Sequence, residues 1–505
     1  MRARLVTDYL EQTAGRYPDK IALEDENKRL TFSELRNEAW RIASALIERG
    51  FYKQPVAVVM EKSVGCIAAF LGIAYSGNFY TPIDDKMPIG RIGKILDTLQ
   101  PVCLIASENC SSVKEEILRD GYTGDALDYE NIIKTTEVLE ERIKNIHEGM
   151  IDMDALYVFF TSGSTGIPKG VVISHQSVID YTEWVADTFQ ITEGDKFGNQ
   201  APLYFDNSIL DIYTALKAGA TLCLIPEKLF AFPLELLQLI DEKKITTIFW
   251  VPTALCLVAN LRACGKIGLN YLKRVLFCGE PMPNKQLNMW RRAYPDILYA
   301  NLYGPTEITD VCTYYIVDRE FDDAAPLPIG RPCRNTDILV LNKDNCLVAE
   351  GEIGELCVRG VSLSYGYYNN DERTKEAFIQ NPLNPYYREM IYRTGDLVKY
   401  NEYGEIVYIS RKDYQIKHMG HRIELGEIEN AVYSISGIDR CCCLYHDKKK
   451  KIMLFYTASA EIPNLKELVK DKLPDYMIPG IYRFLDNMPL NLNGKIDRVK
   501  LKTLL

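Results

Sequence analysis

Residues 157–171 read YVFFTSGSTGIPKGV. The opening YVFF, preceded by Ala155 and Leu156, is an apolar, aromatic run of the length that fills a buried strand. The residues after it differ in kind. Gly163, Gly166 and Gly170 allow positive φ and close approach of the backbone to a ligand, Thr161, Ser162, Ser164 and Thr165 offer hydroxyls, and Lys169 adds a cation. That combination suits a polyphosphate. A Gly/Ser-rich surface linker is the bland reading of the same composition, but linkers rarely emerge from core strands. The loop is not a Walker A loop, because Pro168 stands where the second glycine belongs and Gly170, rather than Ser or Thr, follows Lys169.

On either side of this stretch, strand-like runs alternate with helical patterns. LTFSELRNEAWRIASALIERG reads as a turn and an amphipathic helix, PVAVVM as a buried strand, and VGCIAAFLGIAYSG as a helix ended by Gly77. The order repeats in TLCLIPE, LELLQLIDEKK and ITTIFWVP, as expected for α/β layers on a largely parallel sheet. After about residue 330 the pattern changes to short strands and turns, as in TDILVLNKDNCLVAEGEIGELCVRG, which predicts a β-rich subdomain. From about residue 412 a small α+β unit follows. The run DKKKKI at 447–452 reads as a solvated hairpin tip, with a nucleic-acid patch a distant second.

At 505 residues, 47% hydrophobic and 25% charged, the chain is too long for one core, so two or more domains are expected. A net charge of −10 and a pI near 5.3 leave no basic excess to neutralise a nucleic-acid backbone. No apolar stretch is long enough for a membrane span, and Asp8, Glu11 and Gln12 interrupt what would be a signal peptide, so the expected location is the cytoplasm. The 14 cysteines form no CxxC pair and read as reduced core residues. Cys441, Cys442 and Cys443 are adjacent, and a strand would send neighbours to opposite faces, so they cannot converge on one metal.

YVFFTSGSTGIPKGV resembles the phosphate-loop motif of the adenylate-forming superfamily, which includes acyl- and aryl-CoA ligases, luciferases and the adenylation domains of nonribosomal peptide synthetases. Further motifs follow in that family's order: SGNFYTPID (76–84), FDNSILDIY (205–213), NLYGPTE (301–307), GELCVRG (354–360), YRTGDLV (392–398), RKDYQIKHMGHRIELGEIE (411–429), LPDYMIP (473–479) and NGKID (493–497). The resemblance spans nearly the whole chain. It implies a large α/β N-terminal domain over 1–410, with the β-rich subdomain at about 330–410, and a small mobile α+β C-terminal domain over 411–505 with its hinge near Asp413.

Each motif also has a physical reading. In NLYGPTE, Gly304 and Pro305 make a tight turn that presents Thr306 and Glu307, a hydroxyl and a hard oxygen ligand; an exposed turn glutamate is the bland alternative. Asp396 in RTGD can accept two hydrogen bonds from a ribose diol, or simply cap a backbone. Lys495 alone would be a surface lysine. The resemblance implies more. It assigns ATP binding to Thr161, Ser162, Gly163, Ser164, Thr165, Gly166, Lys169, Gly279, Glu280, Asn301, Tyr303, Gly304, Thr306, Asp396 and Arg411, with Tyr303 on adenine, Thr306 on the α-phosphate and Asp396 on the ribose. Glu307 would bind Mg²⁺. Lys495 would be the catalytic residue, stabilising negative charge as a carboxylate attacks the α-phosphorus and pyrophosphate leaves. A pivot at Asp413 would then turn GHRIELGEIE toward a thiol tunnel and withdraw Lys495. Ser410 replaces the glycine that often opens the hinge motif, and KHMG replaces the commoner basic variant.

Asp206 falls where amino-acid-activating relatives hold the α-ammonium, an ion pair that a desolvated pocket requires; a helix N-cap is the alternative. By the same carry-over, Asn207, Leu210, Thr253, Leu276, Cys278, Leu302, Asp310 and Val311 belong to the substrate pocket. LFCGEPMP (276–283) and Cys278 resemble stand-alone D-alanine:carrier-protein ligases, whereas Asn207 and Asp310 are more polar than a methyl side chain requires. D-alanine and a polar or cationic side chain such as Ser, Orn or Lys therefore both remain open. The expected acceptor is the phosphopantetheine thiol of a separate carrier protein, with CoA as runner-up, and a catalytically inactive binding protein is the reading from a different class. Nucleic acid and membrane insertion are not expected.

Overall fold

The computed structural model describes residues 3–163, 166–323, 325–412, 415–446, 448–490 and 496–504, without the side chain of Val499. Its first α/β layer is a six-stranded sheet in the order Asp125–Asp128, Cys103–Ala106, Pro55–Val59, Phe79–Ile83, Ala155–Thr161 and Lys169–Ser174. All neighbours are parallel except the last pair, a hairpin in which Thr161 faces Lys169. The second is a nine-stranded sheet whose six central strands, from Leu298–Tyr303 to Ile21–Glu24, are parallel, with antiparallel strands at both edges.

Local chemistry explains the elements between these strands. Thr31 caps the helix Phe32–Glu48 reciprocally with Glu34, and Ser63 caps Val64–Tyr75, whose residues are all buried and whose exit turn places Gly77 at φ +74°. Helices Val64–Tyr75, His175–Thr188 and Asn207–Ala218 contribute to one core shared by both sheets. Within it Phe70 stacks on Tyr80 with ring centroids 4.3 Å apart, and the hydroxyls of Tyr80 and Tyr213 meet at 2.9 Å, so the buried phenols are satisfied without water.

A five-stranded antiparallel sheet follows, with Thr336–Leu341, Gly354–Gly360, Met390–Tyr400 and Phe378–Gln380 in order and Ile406–Arg411 paired to Met390–Tyr400. Beyond residue 414 come the hairpin Gln415–His418/His421–Glu424, the helix Leu425–Tyr433 and a three-stranded sheet of Ile438–His446, Lys451–Ala458 and Ile481–Phe484. This unit has its own core around Ile423, Ile428, Val432, Leu454 and Met477. The pleat separates the three consecutive cysteines as expected: Cys441 and Cys443 join that core, while Cys442 faces Phe455 and Leu501 on the other side. Lys448–Lys450 form the exposed turn of the strand pair. Among the described residues, no helix is long and apolar enough to cross a membrane.

Candidate functional site

The loops leaving the carboxyl ends of the parallel strands converge, as ligand-binding loops do in open α/β sheets. Thr161 and Ser162 end the strand Ala155–Thr161, Asp84 follows Phe79–Ile83, Cys278 and Gly279 follow Arg274–Phe277, and Gly304 to Asp310 follow Leu298–Tyr303. Together with Phe205, Asp206, Asn207 and, from beyond residue 414, Lys417, Gly420, His421, Arg422 and Tyr476, they enclose a cavity of about 90 Å³.

The phosphate-type loop is shaped by its glycines. A Cβ on Gly163 would lie 2.0 Å from the Ile167 carbonyl oxygen, and one on Gly304 would lie 2.3 Å from that of Asp310, so neither backbone path tolerates a side chain. Gly166 N–H donates to Gly163 O at 2.9 Å, and the Thr161 hydroxyl is buried without a partner among the described residues. Ser164 and Thr165 lie outside the described residues.

The second unit docks directly onto this loop. Ser162 Oγ donates to the Arg422 carbonyl at 2.7 Å and accepts from Glu424 N–H at 3.1 Å, while Gly163 N–H donates to Glu427 Oε2 at 3.3 Å. Arg91 pairs with Glu427 in a buried contact, and Gly420 N–H donates to Glu280 Oε1 at 3.0 Å. At the centre, Arg422 Nη1 reaches Glu307 Oε2 at 2.6 Å, and the Tyr367 hydroxyl donates to Glu307 Oε1 at 2.7 Å. Glu307 is fully buried, which removes the exposed-turn reading. Burial alone would raise its pKa, but Arg422 and Lys169 outweigh that and hold it at about 2. Burial, then the neighbouring Arg422, lowers the pKa of Lys169, whose ammonium lies 5.2 Å from the Tyr367 ring centre and 3.8 Å from Glu424 Oε1. A lone buried carboxylate suits Mg²⁺, which takes one or two protein oxygens when phosphates complete its shell. Glu307 is free for that role only when Arg422 is elsewhere.

On the nucleotide side, Asp396 is not a helix cap. It sits in the strand Met390–Tyr400, takes the Tyr303 hydroxyl on one oxygen and Arg411 Nη1 on the other at 3.0 Å. Lys417 Nζ lies 5.5 Å from the Tyr303 ring centre. Asn301 turns away, donating to Pro328 O at 2.8 Å.

Asp206 combines both of its sequence readings. It heads the helix Asn207–Ala218, accepting Asn207 N–H at 3.0 Å on Oδ1, and its Oδ2 takes the Thr306 hydroxyl. Burial raises its pKa against the lowering effect of Thr306. Asp310, 1% exposed, accepts the Tyr181 hydroxyl at 2.7 Å, and burial with the nearby Asp206 raises its pKa well above the carboxylate range.

Of the pocket residues expected from sequence, Asp206, Asn207, Cys278 and Asp310 line the cavity and five do not. Leu210, Leu276, Leu302 and Val311 are buried in the core behind it, because apolar side chains on the inner faces of these elements pack between the sheets. Thr253 is exposed at the start of the helix Pro252–Asn260 and gives its N–H and hydroxyl to Glu280 Oε2, at 2.9 and 2.5 Å. Lys495 and Asp413 lie outside the described residues. Sequence reading missed Arg91 and gave no individual role to Asp84, Tyr204 or Phe205. Lys417, His421, Arg422 and Tyr476 stood in quoted motifs without individual roles, and only their docking shows why they matter.

Comparison with known proteins agrees with this architecture. The family model described as AMP-binding enzyme matches residues 10–368. Tyrocidine synthase 1 of Brevibacillus parabrevis is 32% identical over 504 residues, covering 98% of this chain but 45% of that protein, so the chain spans under half the length of this relative. Among solved structures, the Vibrio cholerae adenylation domain AlmE in complex with glycyl-adenosine-5′-phosphate superposes with a TM-score of 0.84 at 23% identity, covering 99% of this chain and 97% of that one. Holo-PA1221, which contains adenylation and PCP domains, gives 0.84 at 24% identity, covering 99% and 84%. These likenesses, with the glycine-shaped loop, the buried Glu307 and the docked C-terminal unit, mean that the chain belongs to the AMP-binding enzyme family of the adenylate-forming superfamily.

Proposed function

We propose that this protein activates an amino acid with ATP, releasing pyrophosphate, and passes the aminoacyl group from its adenylate to the phosphopantetheine thiol of a carrier protein. One observation carries the reading: a buried carboxylate, Asp206, shares a cavity with the end of the phosphate-type loop, and the segment Gly420–Glu427 closes over both. A carboxylate substrate needs no anion beside it, whereas an α-ammonium needs one. The relatives' names add support, since AlmE was solved with a glycyl adenylate and PA1221 carries a PCP domain.

In the first half-reaction Lys495 would neutralise charge between the attacking carboxylate and the α-phosphate, and Thr306, whose hydroxyl donates to Asp206 in this arrangement, would turn to the same phosphate. Glu307 would hold Mg²⁺ when Arg422 is elsewhere, and the ion would supply charge neutralisation at the phosphates. Asp206 holds the ammonium and so sets the acyl carbon in place. In the second half-reaction, with Lys495 withdrawn about the Asp413 hinge, Arg422 takes over Glu307, and the segment from Gly420 walls the path by which a thiol reaches the acyl carbon.

The test is amino-acid-dependent exchange of labelled pyrophosphate into ATP, followed by loading of a phosphopantetheinylated carrier or CoA. Exchange with amino acids and loading of the carrier supports the proposal. Loading of CoA alone makes the protein an acyl-CoA ligase, and no exchange with any carboxylate leaves only a binding role.

A further inference from the structure

Lys62 stands between the strand Pro55–Val59 and the helix Val64–Tyr75, at the carboxyl end of the six-stranded sheet. Its ammonium crosses to the other sheet, donating to the carbonyls of Asn199 and Gln200 at 3.1 and 2.9 Å, where the strand Lys196–Asn199 ends. From there the chain runs through Tyr204 and Phe205 to Asp206, all three of which line the cavity. The Asn199 side-chain amide donates to Asp211 Oδ2 at 2.9 Å, and Asp211 lies in the helix that Asp206 heads. Gln200 Oε1 accepts Val251 N–H at 3.3 Å, which fixes the start of the segment from a third side.

Asn199 and Asp211 are fully buried, and one side-chain oxygen of each has no partner among the described residues. Burial raises the pKa of Asp211 to about 7 against the lowering effects of the Asn199 amide and then of Lys62. Burial likewise lowers the pKa of Lys62 to about 7, with Asp211 the first charge to oppose it. A buried carboxylate that loses its cation is strongly destabilised, so the helix is held where Asp211 faces Lys62. Asp211 is five residues beyond Asp206, about 7.5 Å along the helix axis, and a shift at one is carried to the other. The donors on Asp206 itself, Asn207 N–H and the Thr306 hydroxyl, come from its own helix and from the loop after Leu298–Tyr303, so neither ties it to the first sheet.

Resting on the amino-acid reading above, we propose that Lys62 is a positioning residue for the substrate: by holding the Asn199 and Gln200 carbonyls and facing Asp211, it sets Asp206 where its carboxylate meets the α-ammonium. Lys62 does not line the cavity, so its effect reaches the substrate through Asp206.

Pyrophosphate exchange with the full chain tests this. The proteinogenic amino acids, D-alanine and ornithine are screened first, and the one used best is paired with the same acid lacking its α-ammonium, as propionate is for alanine. A misplacement of about 1 Å in a substrate-orienting group costs up to about 100-fold, so in Lys62→Met the KM for the amino acid should rise at least about 10-fold. The KM for ATP should stay within about 2-fold, and the preference for the amino acid over its des-amino partner should fall by about the same factor as the amino-acid KM rises. Lys62→Arg, whose guanidinium also donates to two carbonyls, should recover most of that preference. Asp211→Asn keeps an acceptor for the Asn199 amide and removes the charge that Lys62 faces; it should lower the preference by a smaller factor, and it carries the test if Lys62→Met does not fold. An unchanged preference in folded protein, checked by its melting curve, or equal losses for ATP, the amino acid and its des-amino partner, overturns the inference while leaving amino-acid activation intact. Exchange with no amino acid in the unaltered protein overturns both.

Discussion

Replacing Arg422 by alanine would leave Glu307 fully buried beneath the docked hairpin with its closest cation gone. Removing one partner of a buried ion pair costs about 3 to 5 kcal/mol. Lys169 and the Tyr367 hydroxyl still face Glu307, so the lower end, about 3 kcal/mol, is expected. The chain has a cheaper response than unfolding, because the unit beyond residue 414 has its own core and can leave the site, returning Glu307 to water. The penalty should therefore appear as a shift of about 100-fold from docked to undocked. Hydrogen exchange reads this directly at Gly420, Glu424 and Gly163, whose N–H groups donate across the junction to Glu280, Ser162 and Glu427. Their protection should fall by up to that factor, while amides within the three-stranded sheet Ile438–His446, Lys451–Ala458 and Ile481–Phe484 keep theirs. Adding Glu307→Ala should restore much of the loss, since the unpaired buried charge then disappears. Junction amides that exchange equally in Arg422→Ala and the unaltered protein would refute the argument that this pair holds the docked arrangement.

Lys495→Ala should suppress pyrophosphate exchange by at least 100-fold with a melting temperature within about 2 °C of the unaltered protein, as expected for a group acting only on transition-state charge; undiminished exchange would reassign the catalytic lysine. Asp206→Ala should abolish amino-acid-dependent exchange, and activity that survives it would remove the ammonium anchor. Acid stability should depend on His175. Burial lowers its pKa from the usual 6.5 to about 4, and its Nδ1 accepts Val6 N–H at 3.2 Å, so the folded chain holds it neutral. The unfolded chain takes up a proton as pH falls below 6.5 and the folded chain does not until about 4, so stability falls over that window, by about 2 kcal/mol at pH 5. Denaturant melts at pH 7 and pH 5 should show a smaller difference in His175→Gln; equal differences would mean that the imidazole is already charged in the folded protein.

Much of the architecture was readable along the chain because it rests on local rules. YVFF is a buried strand, and the glycines after it mark backbone that cannot carry a Cβ, as the 2.0 Å approach at Gly163 shows. The capping pair Thr31/Glu34 starts its helix where periodicity placed it, and the alternation of Cys441, Cys442 and Cys443 follows from the pleat alone. Motif order brought Asp206, Glu307, Tyr303 and Asp396 to the candidate site: Tyr303 ends a strand and Glu307 follows it, Asp206 heads a helix, and Asp396 lies within a strand.

Other features were decided only by tertiary packing. Leu210, Leu276, Leu302 and Val311 lie close in sequence to lining residues yet are buried in the core, because the packing of the helix Asn207–Ala218 and of the strands Arg274–Phe277 and Leu298–Tyr303 between the layers, not their place in a motif, sets where these side chains point. Arg91 sits 336 positions from Glu427 and has no local mark of its role. Whether Glu307 is an exposed turn residue, a metal ligand or the partner of Arg422 depends on where the last unit of the chain rests, and no local pattern encodes that position. Sequence by itself determined which strands, turns and reactive groups this protein has, since those follow from spacing and side-chain chemistry within a few residues. Only the tertiary structure decided which charges face each other, because a buried ion pair is set by the balance of desolvation and attraction between segments far apart in the chain.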